Sequence, residues 1–191
     1  MIKRSVDLAF NGFTAAIIKR EGSFLRECGE CTACCEGWLP DESLGMHPGT
    51  PCQHCQAGGC AIYDVRPENP CRVFRCAWLQ EADAFPESMR PDRCGAIVLA
   101  ARYWREWSVV QATPAGEKIP EDTLGWLQEY SSRIGRPLVY FERQIVDGVF
   151  VEAGHGGFGP PEFIQNLNQA SMRTGETDAS VITPDDVIRL G

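Results

Sequence analysis

The side chains here that could do chemistry are thiols. Ten cysteines lie between Cys28 and Cys94, and the rest of the 191-residue chain has none. The run opens as Cys28, Cys31, Cys34 and Cys35 in C-x2-C-x2-C-C spacing. It continues through Cys52, Cys55, Cys60, Cys71, Cys76 and Cys94. Thiols at this density are either oxidised in pairs or hold metal, because so many free thiols would be reactive. A C-x2-C step turns two sulfurs toward one ion. The chain makes that step at Cys28/Cys31, Cys31/Cys34 and Cys52/Cys55. If the first four cysteines sat on one helix, Cys28, Cys31 and Cys35 would share a face and Cys34 would point about 100° away. The vicinal pair is therefore expected to serve two centres, or to place one member outside the ligand shell. A disulfide between them is the competing reading, and it is strained because neighbouring Cα atoms are only ~3.8 Å apart.

The residues around the thiols suit metal. Gly58 and Gly59 precede Cys60 and let backbone amides approach sulfur. Arg66, Arg72 and Arg75 bracket the later cysteines, where guanidinium groups are expected to donate to sulfur and offset thiolate charge. Phe74, Trp78 and Leu79 are expected to form an apolar wall that limits solvent access.

Taken together, these segments resemble the bacterial cysteine-cluster family named for its C-x2-C-x2-C-C motif and described as a zinc- or iron-chelating domain. The resemblance rests on Cys28 to Cys35, Pro51-Cys52-Gln53-His54-Cys55, and Gly59-Cys60-Ala61-Ile62-Tyr63 with Arg66-Pro67. Cys71-Arg72-Val73-Phe74-Arg75-Cys76-Ala77-Trp78-Leu79 and Arg90-Pro91-Asp92 complete it. It covers residues 28–100, roughly a third of the chain. The same cluster occurs in flagellin lysine methylases, which are longer and share nothing else with this chain. The resemblance implies metal chelation by nine cysteines: Cys28, Cys31, Cys34, Cys35, Cys52, Cys55, Cys60, Cys71 and Cys76. Cys94 follows a part of the pattern that requires no ligand, and is expected to be a buried thiol. One four-sulfur site would leave five of the nine over; two sites would use eight, or fewer if sulfurs bridge. His54 is a candidate to replace one sulfur, whereas His47 and His155 have no ligand spacing. Zinc takes closed tetrahedral thiolate sites. Iron–sulfur clusters also take four cysteines, and the surplus of thiols tilts the expectation toward them.

A formal charge of −8 and a pI near 4.9 argue against a nucleic-acid partner, since phosphate contacts need a basic stripe. No stretch approaches the ~20 apolar residues of a membrane span. The amino-terminal apolar residues are too interrupted, by Asp7, Asn11 and Gly12, for an export signal. The expected location is the cytoplasm, whose reducing conditions favour metal over disulfides.

The elements that must position the thiols divide the chain. Residues 1–27 are expected to be a helical segment, with Ile2, Val6, Ala9, Phe13 and Ile17 on one face. Residues 28–94 are rich in Gly and Pro and read as loops with short helical turns, one through Cys31 to Cys35 and one from Pro70 to Gln80. Residues 95–170 read as α+β. Strands are expected at 96–100, 107–111, 137–141 and 149–151, and a helix from Glu121 to Ile134. An Asp147-Gly148 turn precedes the last strand. The fold class is thus α+β, a loop-rich metal module joined to a small, mainly antiparallel sheet with helices, all forming one compact unit. Gly154 to Pro161 reads as a flexible surface turn ahead of a helix from Glu162 to Ala170. Residues 171–191 read as a loosely ordered tail, with one short helix from Pro184 to Leu190.

Three functional readings follow. The first is a metal-binding protein with an iron–sulfur cluster or zinc on cysteine thiolates, in a redox or metal-handling role. The second is a metal-dependent modifying enzyme of the methylase kind. The third is a protein-binding module with structural zinc, for which a contiguous exposed patch over Trp104, Trp107 or Trp126 would be the sign.

Overall fold

The structure, a computed structural model, describes residues 26–173. The helix expected near the amino terminus, and the expected tail beyond residue 173, lie outside the described residues.

The cysteine half is built from short pieces, as its Gly and Pro content requires. A two-stranded ribbon pairs β1 (Cys55–Gln56) with β2 (Gly59–Cys60). Helical turns occupy Cys34–Trp38 and Glu68–Arg72. The short helices α1 (Ala77–Gln80) and α2 (Pro91–Cys94) follow. The first expected helical turn is displaced three residues toward the carboxy terminus. It ends through Gly37, whose φ of 91° no helix can continue. The second is split in two, because Cys76 is extended and interrupts it.

The second half forms a four-stranded sheet in the order β3 (Ala96–Trp104), β4 (Trp107–Pro114), β5 (Leu138–Val146), β6 (Val149–Phe158). Two pairs are antiparallel, but the central pair, β4 and β5, is parallel. A parallel pair needs a crossover between its strands, and α3 (Glu121–Ile134) supplies it. Acidic Glu121 and Asp122 in the first turn of α3 favour its amino-terminal dipole. Gly135, left-handed at φ 66°, ends the helix by donating its N–H to Ser131 and Ser132 carbonyls. The β5–β6 hairpin turns at Asp147 and Gly148, both at positive φ, as the tight two-residue turn demands.

One core joins the two halves. Ala33, Cys76, Trp78 and Leu79 from the cysteine half bury with Ile97, Val98, Val110, Leu127 and Leu138. Phe85 is fully buried and meets the rings of Trp126 and Tyr130 with centroids 5.2 and 4.8 Å away. Helix α4 (Pro161–Arg173) covers another part of the sheet, where Phe163 and Leu167 pack with Trp104, Val109 and Val139.

The segment expected as a flexible turn, Gly154 to Pro161, is ordered strand as far as Phe158. Two of its glycines answer a packing need. A Cβ on Gly156 would strike the Tyr140 ring, and one on Gly157 would strike Leu167 of α4. Nor do the tryptophans form an exposed patch. Trp104 and Trp107 both pack against Phe163, and Trp126 stacks on Tyr130 at 5.4 Å. Among the described residues, no helix is long and apolar enough to cross a membrane.

Candidate metal centre

Local backbone structure sets the position of each thiol. Cys28 and Cys31 are joined by a turn in which the Cys31 N–H donates to the Cys28 carbonyl at 2.9 Å. Gly29, at φ 54°, makes the bend. Cys34 and Cys35 begin the next helical turn. The Cys35 carbonyl then accepts the Cys52 N–H at 2.7 Å, which ties a loop seventeen residues downstream to the vicinal pair. Cys52 repeats the turn, its carbonyl accepting the Cys55 N–H at 2.9 Å. The β1–β2 ribbon places Cys55 opposite Cys60. Cys76 directly precedes α1, and its carbonyl accepts the Leu79 and Gln80 N–H groups.

These turns bring eight cysteines to the wall of one cavity of about 80 Å³: Cys28, Cys31, Cys34, Cys35, Cys52, Cys60, Cys71 and Cys76. Phe74, Trp78 and Leu79 line it as well. Protein interiors leave few gaps larger than one water molecule, and this space is several times that size. Cys55 stands on the ribbon outside the wall. Cys94 is also outside it, buried, with its thiol turned to the Met89 and Ala96 carbonyls at 3.5 and 3.3 Å. All ten cysteines are free thiols, so the vicinal pair forms no disulfide. Among the described residues, no three His, Cys, Asp or Glu side chains are gathered tightly enough to hold an ion as they stand. The fit to metal therefore rests on the donor set. That set is soft sulfur, suited to zinc and to iron–sulfur clusters, behind an apolar wall.

Electrostatics at the cavity follow from crowding thiols away from water. Burial raises the Cys34 thiol well above its usual value, and Cys76, then Cys28 and Cys31, raise it further. Burial pushes Cys35 up to about 12, helped by Cys55, Cys60, Cys52 and Cys71. Cys76 is pushed up to about 11 by burial, with N–H groups of Leu79 and Trp78 acting in the opposite direction. A bound cation inverts this balance, because a coordinating thiol gives up its proton. Amides already point at several of the sulfurs. The Ala33 N–H serves Cys31, the Leu79 N–H serves Cys76, and the His54 N–H lies 3.4 Å from Cys52 Sγ.

The three arginines depart from expectation. Arg66 donates to the Tyr63 carbonyl at 2.6 Å and the Cys71 carbonyl at 3.4 Å, with its guanidinium over the Tyr63 ring. Arg72 donates to the Asp64 and Arg66 carbonyls, and Arg75 to the Arg26 carbonyl. Their hydrogen bonds thus run to backbone oxygen rather than sulfur and brace the loops that carry Cys71 and Cys76. Burial raises the Cys28 thiol, and the charges of Arg66 and Arg75 act against that rise. Of the histidines, His54 lines the cavity, while the His47 ring faces the Thr50 hydroxyl at 3.3 Å. His155 stands in β6 opposite Phe141.

Two supporting residues escaped the sequence reading. Arg26 donates to three carbonyls, those of Trp78, Phe85 and Ala82, at 3.1, 2.6 and 3.2 Å. It lies outside the cysteine motif, so no spacing signalled it. Asp92 takes a bidentate grip from Arg90 at 2.7 and 2.8 Å, and its backbone N–H donates to Cys31 sulfur. Its signal was the Arg90-Pro91-Asp92 segment, to which no role had been assigned.

No family model, curated protein or solved structure matches this chain.

Proposed function

We propose that this chain is a metal-thiolate protein that holds an iron–sulfur cluster or zinc on its cysteines, in a redox or metal-handling role. The observation that carries this reading is the gathering of eight cysteines, from stretches up to 48 residues apart, along the wall of one cavity. A hydrophobic core of this size needs no such gathering, and thiols packed together without a cation oppose one another's ionisation. The resemblance of the cysteine pattern to the zinc- or iron-chelating family supports the same reading. Cys28, Cys31, Cys34, Cys35, Cys52, Cys60, Cys71 and Cys76 are the residues that would hold the metal, with Cys55 beside them. Bound there, iron–sulfur would supply one-electron transfer, and zinc a redox-inert cross-link. The surplus of thiols favours iron–sulfur.

The test is metal analysis with an absorption spectrum on protein purified without oxygen. Brown protein that bleaches with chelator and oxidant is expected. Colourless protein with stoichiometric zinc would replace iron–sulfur by zinc. Protein free of both metals after anaerobic purification would overturn the reading.

A further inference from the structure

We infer that the cavity is divided into two separate metal centres, and that the peptide bond between Cys34 and Cys35 is the boundary between them. This rests on the metal-thiolate reading above and extends it from one site to two. The inner centre takes Cys28, Cys31, Cys34 and Cys76. The outer centre draws its ligands from Cys35, Cys52, Cys55, Cys60 and Cys71.

Packing makes the first division. Cys76 belongs to the buried core, and Cys28, Cys31 and Cys34 pack against that core. The five outer cysteines are not part of it. Their frame is the loop backbone: Cys52 hangs from the Cys35 carbonyl, Cys55 from that of Cys52, and Cys60 stands across the ribbon from Cys55.

Proximity among the sulfurs makes the same division. Cys34 has Cys76, Cys28 and Cys31 for neighbours, and Cys76 has Cys28 and Cys31. Cys35 has Cys55, Cys60, Cys52 and Cys71, and Cys71 has Cys52 and Cys60. Cys34 meets the outer set at its chain neighbour Cys35. The inner set has the four sulfurs of a closed thiolate site, and the outer set has one to spare. A side chain expected to leave the Cys28/Cys31 group was Cys34; it is Cys35 instead. The bend at Gly29 breaks the single helix on which that expectation stood.

Cobalt(II) titrated into the reduced, full-length, metal-free protein under nitrogen tests the division through the sulfur-to-cobalt absorption band. Saturation at two equivalents is expected. The double variant Cys34→Ala/Cys76→Ala should saturate at one, and so should the triple variant Cys52→Ala/Cys60→Ala/Cys71→Ala, each keeping the other centre's band. Saturation of the wild-type chain at one equivalent would overturn the division while leaving the metal-thiolate reading intact, and that endpoint needs no variant to fold. A wild-type chain with no cobalt–thiolate band would remove the metal-thiolate reading itself. Variants that fold, by circular dichroism, yet bind two equivalents would also overturn the division.

Discussion

Gly37 is the residue at which one added methyl group should do the most damage to the cysteine-rich half. It is buried, at φ 91°, two residues beyond the vicinal cysteines. A Cβ there would run into the carbonyl oxygens of His47 and Thr50. Both are backbone atoms, so no side chain can swing aside; the loop must move. Holding alanine in a left-handed conformation costs about 1–2 kcal/mol. Overfilling a packed site costs typically a further 1–3 kcal/mol. The Gly37→Ala variant should therefore lose about 2–5 kcal/mol, a large part of the ~5–15 kcal/mol that stabilises an ordinary domain. Because Thr50 lies just before Cys52, which hydrogen-bonds to Cys35, the shift should also weaken cobalt binding at the outer centre before the inner one. Gly125 is the control. It sits within α3, where an added Cβ has nothing within 4 Å, and alanine is favoured over glycine there by roughly 0.8–1.0 kcal/mol. Urea unfolding should thus show the same chemical change with opposite signs at the two positions. A Gly37→Ala midpoint equal to or above that of the unaltered chain would refute the reasoning.

Arg26→Ala removes a charged group that serves three carbonyls around α1, and should cost roughly 1.5–3 kcal/mol by denaturant titration. Phe85→Ala empties a fully buried aromatic site against Trp126 and Tyr130. The expected loss is about 3–5 kcal/mol, seen as a lower thermal midpoint. Cys94→Ser should leave metal content unchanged, since that thiol faces carbonyls away from the cavity, and elemental analysis checks it. Cys94 also predicts a pH effect. Burial raises its thiol from 9.0 to about 11, so the folded state keeps a proton that the unfolded state gives up. That contribution is complete below pH 9 and is lost as pH rises toward 11. The difference in unfolding free energy between the unaltered and Cys94→Ser chains should shrink over that interval.

Much of the fold was legible because it depends on local pattern. Helix α3 has the bounds its periodicity indicated, closed by Gly135. The four strands stand where apolar runs placed them, but all four reach several residues further, β5 and β6 the most. The extensions of β5 and β6 contain Glu142, Gly154, Gly156 and Gly157, which no strand propensity favours. Pairing supplied what propensity lacked: Arg143 lies opposite Glu152, and Tyr140 lies over Gly156. The parallel β4–β5 pair was not legible either, because direction depends on how α3 crosses the sheet.

For the candidate centre, the chain alone determined the chemistry: sulfur as the donor, its spacing in C-x2-C steps, and the aromatic wall. Those are properties of residue type and short separation. It did not determine partnership among the thiols. Cys34 and Cys35 are neighbours in the chain, yet the core holds one and the outer loop the other. Arginines that looked like sulfur donors turned to loop carbonyls, since unpaired backbone oxygens are numerous wherever regular structure is scarce. Which sulfur meets which depends on contacts across tens of residues, and only folding makes those contacts.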